Sequence, residues 1–208
     1  MDTASFSLLG SRKPDNQDSL AIDEARGLMV VCDGVTHCDG GGIASQTAVE
    51  EFVEHLLATE PIDRHGMRFA LNRAHDTLRK DRRQLFTTLD AVVVQDDRIL
   101  HVHVGDGRIY LIKDSGLERI TVDQVEGRYL SNALGIPHIK FISQSMPRTP
   151  DIKGVAIMSD GVWNEISDPE LEAALTAGSS AAERAAAIEA SLREPPPADD
   201  ATLAIALF

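Results

Sequence analysis

Only two cysteines, Cys32 and Cys38, occur among 208 residues. That excludes a disulfide-stapled scaffold and fits a reduced protein with one buried and one loop thiol; a bridge between them would have to close across a tight Asp-Gly loop. No apolar run approaches the roughly 20 residues of a membrane-spanning helix, so no membrane partner is expected. Positive charge is scarce: 20 lysines and arginines against 33 acidic residues leave a net charge of −13. Such a surface opposes non-specific attraction to nucleic acid and to anionic membranes. The opening residues Met1-Asp2-Thr3-Ala4-Ser5 lack the basic start and long apolar stretch of a secretory signal, and the expected location is the cytoplasm. A hydrophobic content of 43% with 25% charged residues suits one globular domain spanning 1–208.

What the chain does have is a recurrent acidic turn. Three apolar runs each stop at aspartate and glycine: Leu28 to Cys32 before Asp33-Gly34, Ile99 to Val104 before Gly105-Asp106-Gly107, and Val155 to Met158 before Ser159-Asp160-Gly161. A fourth acidic pair, Asp199-Asp200, opens the final apolar run, Ala201 to Phe208. Short apolar runs bounded by turn residues read as buried strands, which puts these carboxylates at strand ends where a packed sheet can gather them. Gathered carboxylates repel unless something neutralises them. Magnesium and manganese, which favour carboxylate, carbonyl and water oxygens, are the simplest neutraliser, and they point to metal-assisted phosphate chemistry. Each Asp-Gly step taken alone is explained equally well as turn chemistry.

Between these turns, apolar residues at helical spacing predict an amphipathic helix from Gly42 to Thr59 and a second from Asp63 to about Gln84. Ala91 to Gln95, Ile99 to Val104 and Ile109 to Lys113 read as strands of a β-meander, the first two joined at Asp96-Asp97-Arg98. After a strand at Leu117 to Thr121, the stretch from Val122 to Asn132 has no clear period and reads as loop or short helix. Strands resume at Lys140 to Met146 and Gly154 to Ser159. Helices follow over Asp168 to Ala177 and Ala181 to Arg193. This order suits packed sheets with helix pairs outside rather than alternating βαβ units.

Taken together, Asn16-Gln17-Asp18, Val30-Val31-Cys32-Asp33-Gly34, Val104-Gly105-Asp106-Gly107-Arg108, Met158-Ser159-Asp160-Gly161 and Asp199-Asp200-Ala201-Thr202 resemble, in order, the motifs of the metal-dependent protein phosphatases, the PPM or type 2C family. Leu134-Gly135 and Asn164-Glu165-Ile166-Ser167-Asp168 extend the resemblance, which runs from about Ser11 to the C-terminus. It implies an α+β fold, a four-layer αββα sandwich of two mainly antiparallel sheets flanked by helix pairs. It also implies two Mn²⁺ or Mg²⁺ ions, with room for a third, in a cleft at one sheet edge. Carried over by motif, Asp33 bridges two ions, the Gly34 carbonyl completes one, and Asp160 and Asp199 bind the other. Asp106, in the place of the family's Gly-Asp-Ser motif, joins Asp160 at a third and weaker ion, and Asp18 orients water. The implied activity is hydrolysis of phosphoserine and phosphothreonine by direct attack of a metal-bridging hydroxide, on a phosphorylated protein that a serine/threonine kinase supplies, by a monomer.

The chain departs from the family pattern in places. The phosphate-binding arginine before Asn-Gln-Asp is replaced by Arg12-Lys13, where Lys13 fits the spacing and Arg12 offers bidentate geometry; Arg12 is the favoured phosphate ligand. His37 lies one place from the family histidine and is a candidate general acid for the leaving alkoxide. Asp123-Gln124 stands where Asp-His is usual, and the segment from there to Leu134-Gly135 is short, so the flap beside the cleft is expected to be largely absent. His101 and His103 share a strand face and are expected to pack beside the core rather than bind zinc. Two other readings remain open: a non-catalytic phosphoprotein-binding or regulatory module on the same fold, and a phosphatase of a small phosphate ester or of a partner-switching regulator.

Overall fold

The computed structural model describes residues 1–35, 40–127 and 129–208. Two five-stranded antiparallel sheets face each other. One runs in the order β2 (Asp18–Asp23), β3 (Leu28–Asp33), β4 (Leu89–Val94), β5 (Arg98–Val104), β10 (Ile142–Pro147). The other runs β1 (Asp2–Leu8), β12 (Ala201–Leu207), β11 (Ile152–Met158), β6 (Arg108–Lys113), β7 (Gly116–Arg119). Helices α1 (Gly41–Leu57) and α2 (Arg64–Lys80) cover the outside of the first sheet, and α3 (Asp160–Trp163), α4 (Asp168–Thr176) and α5 (Ala181–Ser191) that of the second.

The layering follows from side-chain alternation along the strands. On β3, Leu28, Val30 and Cys32 pack outward with Phe52, Leu56, Leu71 and Leu78 of α1 and α2, while Met29 and Val31 point inward. On β12, Leu203 and Ile205 pack outward with Leu171, Leu175 and Ile188, while Ala204 and Ala206 point inward. The inward faces meet in a third apolar layer of Met29, Val31, Val92, Ile109, Leu111, Val155 and Ile157. Three apolar seams between four layers give the expected αββα sandwich. Cys32 is buried and free, its thiol pushed well up by burial; Cys38 lies outside the described residues.

Three local expectations are corrected. The strands from Leu89 to Lys113 are not one meander, because β5 and β6 belong to different sheets and the chain crosses the seam at Gly105-Asp106-Gly107. That crossing puts Asp106 between the sheets. The stretch from Val122 to Asn132 is neither plain loop nor helix but contains the small hairpin β8 (Val125–Glu126) and β9 (Tyr129–Leu130), strands too short for periodicity to reveal. The second helix stops at Lys80 rather than Gln84: Asp81 adopts extended backbone, and its Oδ1 accepts the Arg83 backbone N–H at 2.8 Å, a local bond that competes with helix continuation. The one-turn helix α3 after Ser159 was too short to read from the sequence.

Candidate active site

The alternation that fills the inter-sheet layer with apolar side chains fills one end of it with polar ones. Inward positions run Asp18, Leu20, Ile22 on β2; Met29, Val31, Asp33 on β3; Asp90, Val92, Val94 on β4. Asp18 and Asp33 are direct cross-strand partners. From the opposing sheet, Ser159 and Asp160 follow β11, and Asp199 and Asp200 precede β12. Residues far apart in the chain thus share one edge of the sandwich.

Hydrogen bonds to backbone hold Asp33 and Asp106, and contacts to one carboxylate oxygen hold Asp18, Asp160 and Asp199. At Asp33, the Thr88 hydroxyl accepts the backbone N–H at 2.9 Å and the Thr87 hydroxyl donates to the carbonyl at 2.8 Å. A Cβ on Gly34 would lie 2.1 Å from the Gly41 carbonyl oxygen, so only glycine lets α1 start this close to the turn. Asp18 is held by the Ser159 hydroxyl, which donates to Oδ2 at 2.7 Å from the other sheet. Asp160 opens α3, and its Oδ2 accepts from Asn164 Nδ2 at 3.3 Å. The Asp106 carbonyl accepts the Trp163 indole N–H at 3.1 Å, and that indole is stacked 3.6 Å from the Arg108 guanidinium. Asp199 is half-exposed, and its Oδ1 meets Lys13 Nζ at 2.5 Å.

The electrostatics are those of crowded like charges. Burial lifts Asp33 well above the carboxylate range, and the charges of Asp18, Asp160, Asp106 and Asp199 push it the same way. Asp18 rises to about 7 by burial, with Asp200 and Asp160 adding to it. Asp106 also rises to about 7 by burial and then by Asp160. Asp160 rises by burial and by Asp199. Lys13 is nearly enclosed; burial alone would depress it, but Asp199, Asp200 and Asp33 hold it above its usual value.

These residues fit a hard divalent cation. Every donor is oxygen, the local charge is negative, and two buried carboxylate oxygens, Asp18 Oδ1 and Asp160 Oδ1, have no hydrogen-bond partner. Among the described residues no group of three His, Cys, Asp or Glu side chains is placed to hold a metal ion as it stands. Asp199 is instead turned onto the Lys13 ammonium.

Of the residues singled out from sequence, Asp18, Asp33, Gly34, Asp106, Asp160 and Asp199 come to this edge. Arg12 is exposed, and the cation among the acids is its neighbour Lys13. His37 lies outside the described residues. His101 and His103 are fully buried on the inward face of β5, as expected of core histidines. Sequence reasoning missed Asp200, whose two oxygens accept the Gly10 and Gln17 backbone N–H groups at 2.8 Å each and so shape the loop that carries Lys13. It also missed the hydroxyl of Ser159 and the indole of Trp163. The Asp-Asp doublet and the Ser-Asp-Gly step were visible, but one acid of the doublet turns inward to the backbone, which spacing does not disclose.

The family model for protein phosphatase 2C matches residues 11–195. A putative protein phosphatase 2C-type of Streptococcus pyogenes is 24% identical, covering 78% of this chain and 79% of that protein. Protein phosphatase PhpP of Streptococcus pneumoniae is 24% identical over 85% of each chain. The crystal structure of the Mycobacterium tuberculosis serine/threonine phosphatase PstP/Ppp superposes with a TM-score of 0.86 at 21% identity, over 99% of this chain and 97% of that one. The PstP catalytic domain in complex with two manganese ions gives 0.83 at 22% identity, over 98% and 96%. With a match over most of its length, and with the family's acidic motifs gathered at one sheet edge, the chain belongs to the protein phosphatase 2C family.

Proposed function

We propose that the activity of this chain, metal-dependent hydrolysis of phosphoserine and phosphothreonine in proteins, is carried by Asp18, Asp33, Asp106, Asp160 and Asp199, with Lys13 as the phosphate-binding cation. The observation that carries this reading is the pair of buried, unpartnered oxygens on Asp18 and Asp160 inside a cluster of mutually repelling acids. Asp33, the Gly34 carbonyl, Asp160 and Asp199 would hold two Mn²⁺ or Mg²⁺ ions, and Asp106 with Asp160 a weaker third. Such ions lower the pKa of attacking water and neutralise charge on the phosphoryl oxygens.

The chain's own groups do the rest. Lys13 Nζ leaves Asp199 to bind a non-bridging phosphoryl oxygen, a role its place within the acidic cluster supports better than the exposed position of Arg12. Asp18, fixed through Oδ2 by Ser159, accepts a hydrogen bond at Oδ1 from the attacking water and aims it at phosphorus. The substrate is then the product of a serine/threonine kinase, because this hydrolysis reverses that transfer. The test is release of phosphate from a phosphothreonine peptide by wild type and Asp160→Asn with Mn²⁺, Mg²⁺ or EDTA. Turnover that needs metal and falls at least a hundredfold in the variant supports the reading; binding of the peptide without turnover favours a non-catalytic module.

A further inference from the structure

Beneath the Gly105–Gly107 loop lies a buried acid–base pair that the hydrolytic steps above do not use. Asp90 on β4 and His103 on β5 are cross-strand neighbours in the inter-sheet layer, each at most 1% exposed. His103 Nδ1 lies 2.7 Å from Asp90 Oδ1, and Nε2 lies 3.0 Å from the Val122 carbonyl oxygen. The Val122 carbonyl can only accept, so Nε2 donates to it, and Nδ1 shares a proton with the Asp90 carboxyl. Burying such a pair brings little or no net stability compared with apolar side chains of similar volume. What it adds is position.

Two contacts carry that position to Asp106 from either side. On one, a Cβ on Gly107 would stand 2.0 Å from Asp90 Oδ2, so the residue after Asp106 is a glycine because the carboxylate lies against its backbone. On the other, Val122, held by His103, is two residues from Gln124. The Gln124 Oε1 accepts the Gly105 N–H at 2.8 Å, and its backbone N–H donates to the Gly105 carbonyl at 2.8 Å. We propose that Asp90 and His103 are positioning residues that set the Asp106 loop, and that through it they tune the affinity of the weakest-bound divalent ion. Gly107, where the resembling motif carries serine, is part of the same device. The inference rests on the reading of Asp106 as a metal ligand.

The test is calorimetric titration of the metal-stripped chain with Mn²⁺, run beside a thermal melt. For Asp90→Asn, which keeps the volume but removes the charge, and for Gly107→Ser, which wedges a side chain against Asp90, the weakest Mn²⁺ step should weaken at least tenfold. The tighter steps should move less than twofold. Combining Gly107→Ser with Asp90→Ala restores room and should cost no more than Asp90→Ala alone, the non-additivity expected of a direct contact. If Asp90→Asn does not fold, the apolar pair Asp90→Val with His103→Leu replaces it with the same expectation. An unchanged weakest step in folded variants, or equal weakening of every step, overturns the inference. A wild type that binds only two ions overturns the third-ion role of Asp106, and this inference with it. A wild type that binds none overturns the metal reading itself.

Discussion

The Ser159 hydroxyl donates to Asp18 Oδ2 over 2.7 Å, linking the end of a strand in one sheet to the start of a strand in the other. The Ser159 Oγ also accepts the Thr202 backbone N–H at 2.9 Å, so one hydroxyl aligns three strands at the acidic edge. Donors to a carboxylate favour its charged form, and their loss raises its pKa. Ser159→Ala is therefore expected to push the already raised Asp18 higher and to move the acid limb of the pH–kcat profile upward. Unfolding should become easier by about 1–3 kcal/mol, the usual range for stranding buried partners. Stopped assays from pH 5 to 9 and a urea titration check both, and an unmoved acid limb contradicts the role given to Asp18.

Lys13 and Arg12 should behave differently although they are neighbours. Lys13→Met removes the ammonium from Asp199 and is expected to raise KM for a phosphopeptide about tenfold, since hydrogen bonds to charged groups are worth about 1.5–3 kcal/mol. The same change should tighten Mn²⁺ binding, because a competing cation is gone. Arg12→Ala, at an exposed position, should alter either quantity less than twofold. Steady-state kinetics with a Mn²⁺ titration separates them; the reverse ranking returns the phosphate to Arg12.

Asp200 shapes the acidic edge by bracing backbone. Its carboxylate satisfies the backbone N–H groups of Gly10 and Gln17, so Asp200→Ala leaves two donors without an acceptor and frees the loop that presents Lys13. A stability loss of about 1–3 kcal/mol per unmet group is expected, with KM rising as in Lys13→Met. Asp200→Asn should recover part of both, because its amide oxygen can still accept one of the two N–H groups.

The metal-free protein should show a distinctive dependence on pH. Asp18 and Asp106 are lifted from the ordinary carboxylate value of 3.8 to about 7, and Asp33 and Asp160 are lifted too, burial being the first cause in each. A carboxyl whose folded pKa is raised binds more protons folded than unfolded in the window between the two values, so its contribution is complete at low pH and is lost as pH rises through about 7. In EDTA the melting temperature should therefore fall between pH 5 and pH 8. Added Mn²⁺ should reverse that trend, because it binds the ionised acids of the native state. A melting temperature that rises over this range in EDTA would contradict the electrostatic picture.

How much of this was legible in the sequence depended on whether the signal was local. The apolar runs before Asp33, Asp106 and Asp160 announced strand ends, and the helical spacing of Phe52, Leu56, Leu71 and Leu78 announced the covering helices, because both depend on the pattern within one segment. The crossing at Asp106 from one sheet to the other was not legible, since a two-residue turn and a seam crossing look alike in sequence. The choice of Lys13 over Arg12 depends on which side chain the Asp200-braced loop turns inward. Asp90 falls one residue before the strand read from Ala91, and His103 reads as a core histidine; only register makes them a pair.

Crystals of the protein grown with Mn²⁺ and measured at the manganese absorption edge test the central claim most directly. Anomalous density is expected in contact with Asp33, Asp160 and Asp199, with Lys13 Nζ withdrawn from Asp199. Density that lies elsewhere, or Asp33, Asp160 and Asp199 facing away from one another with no ion among them, would contradict it.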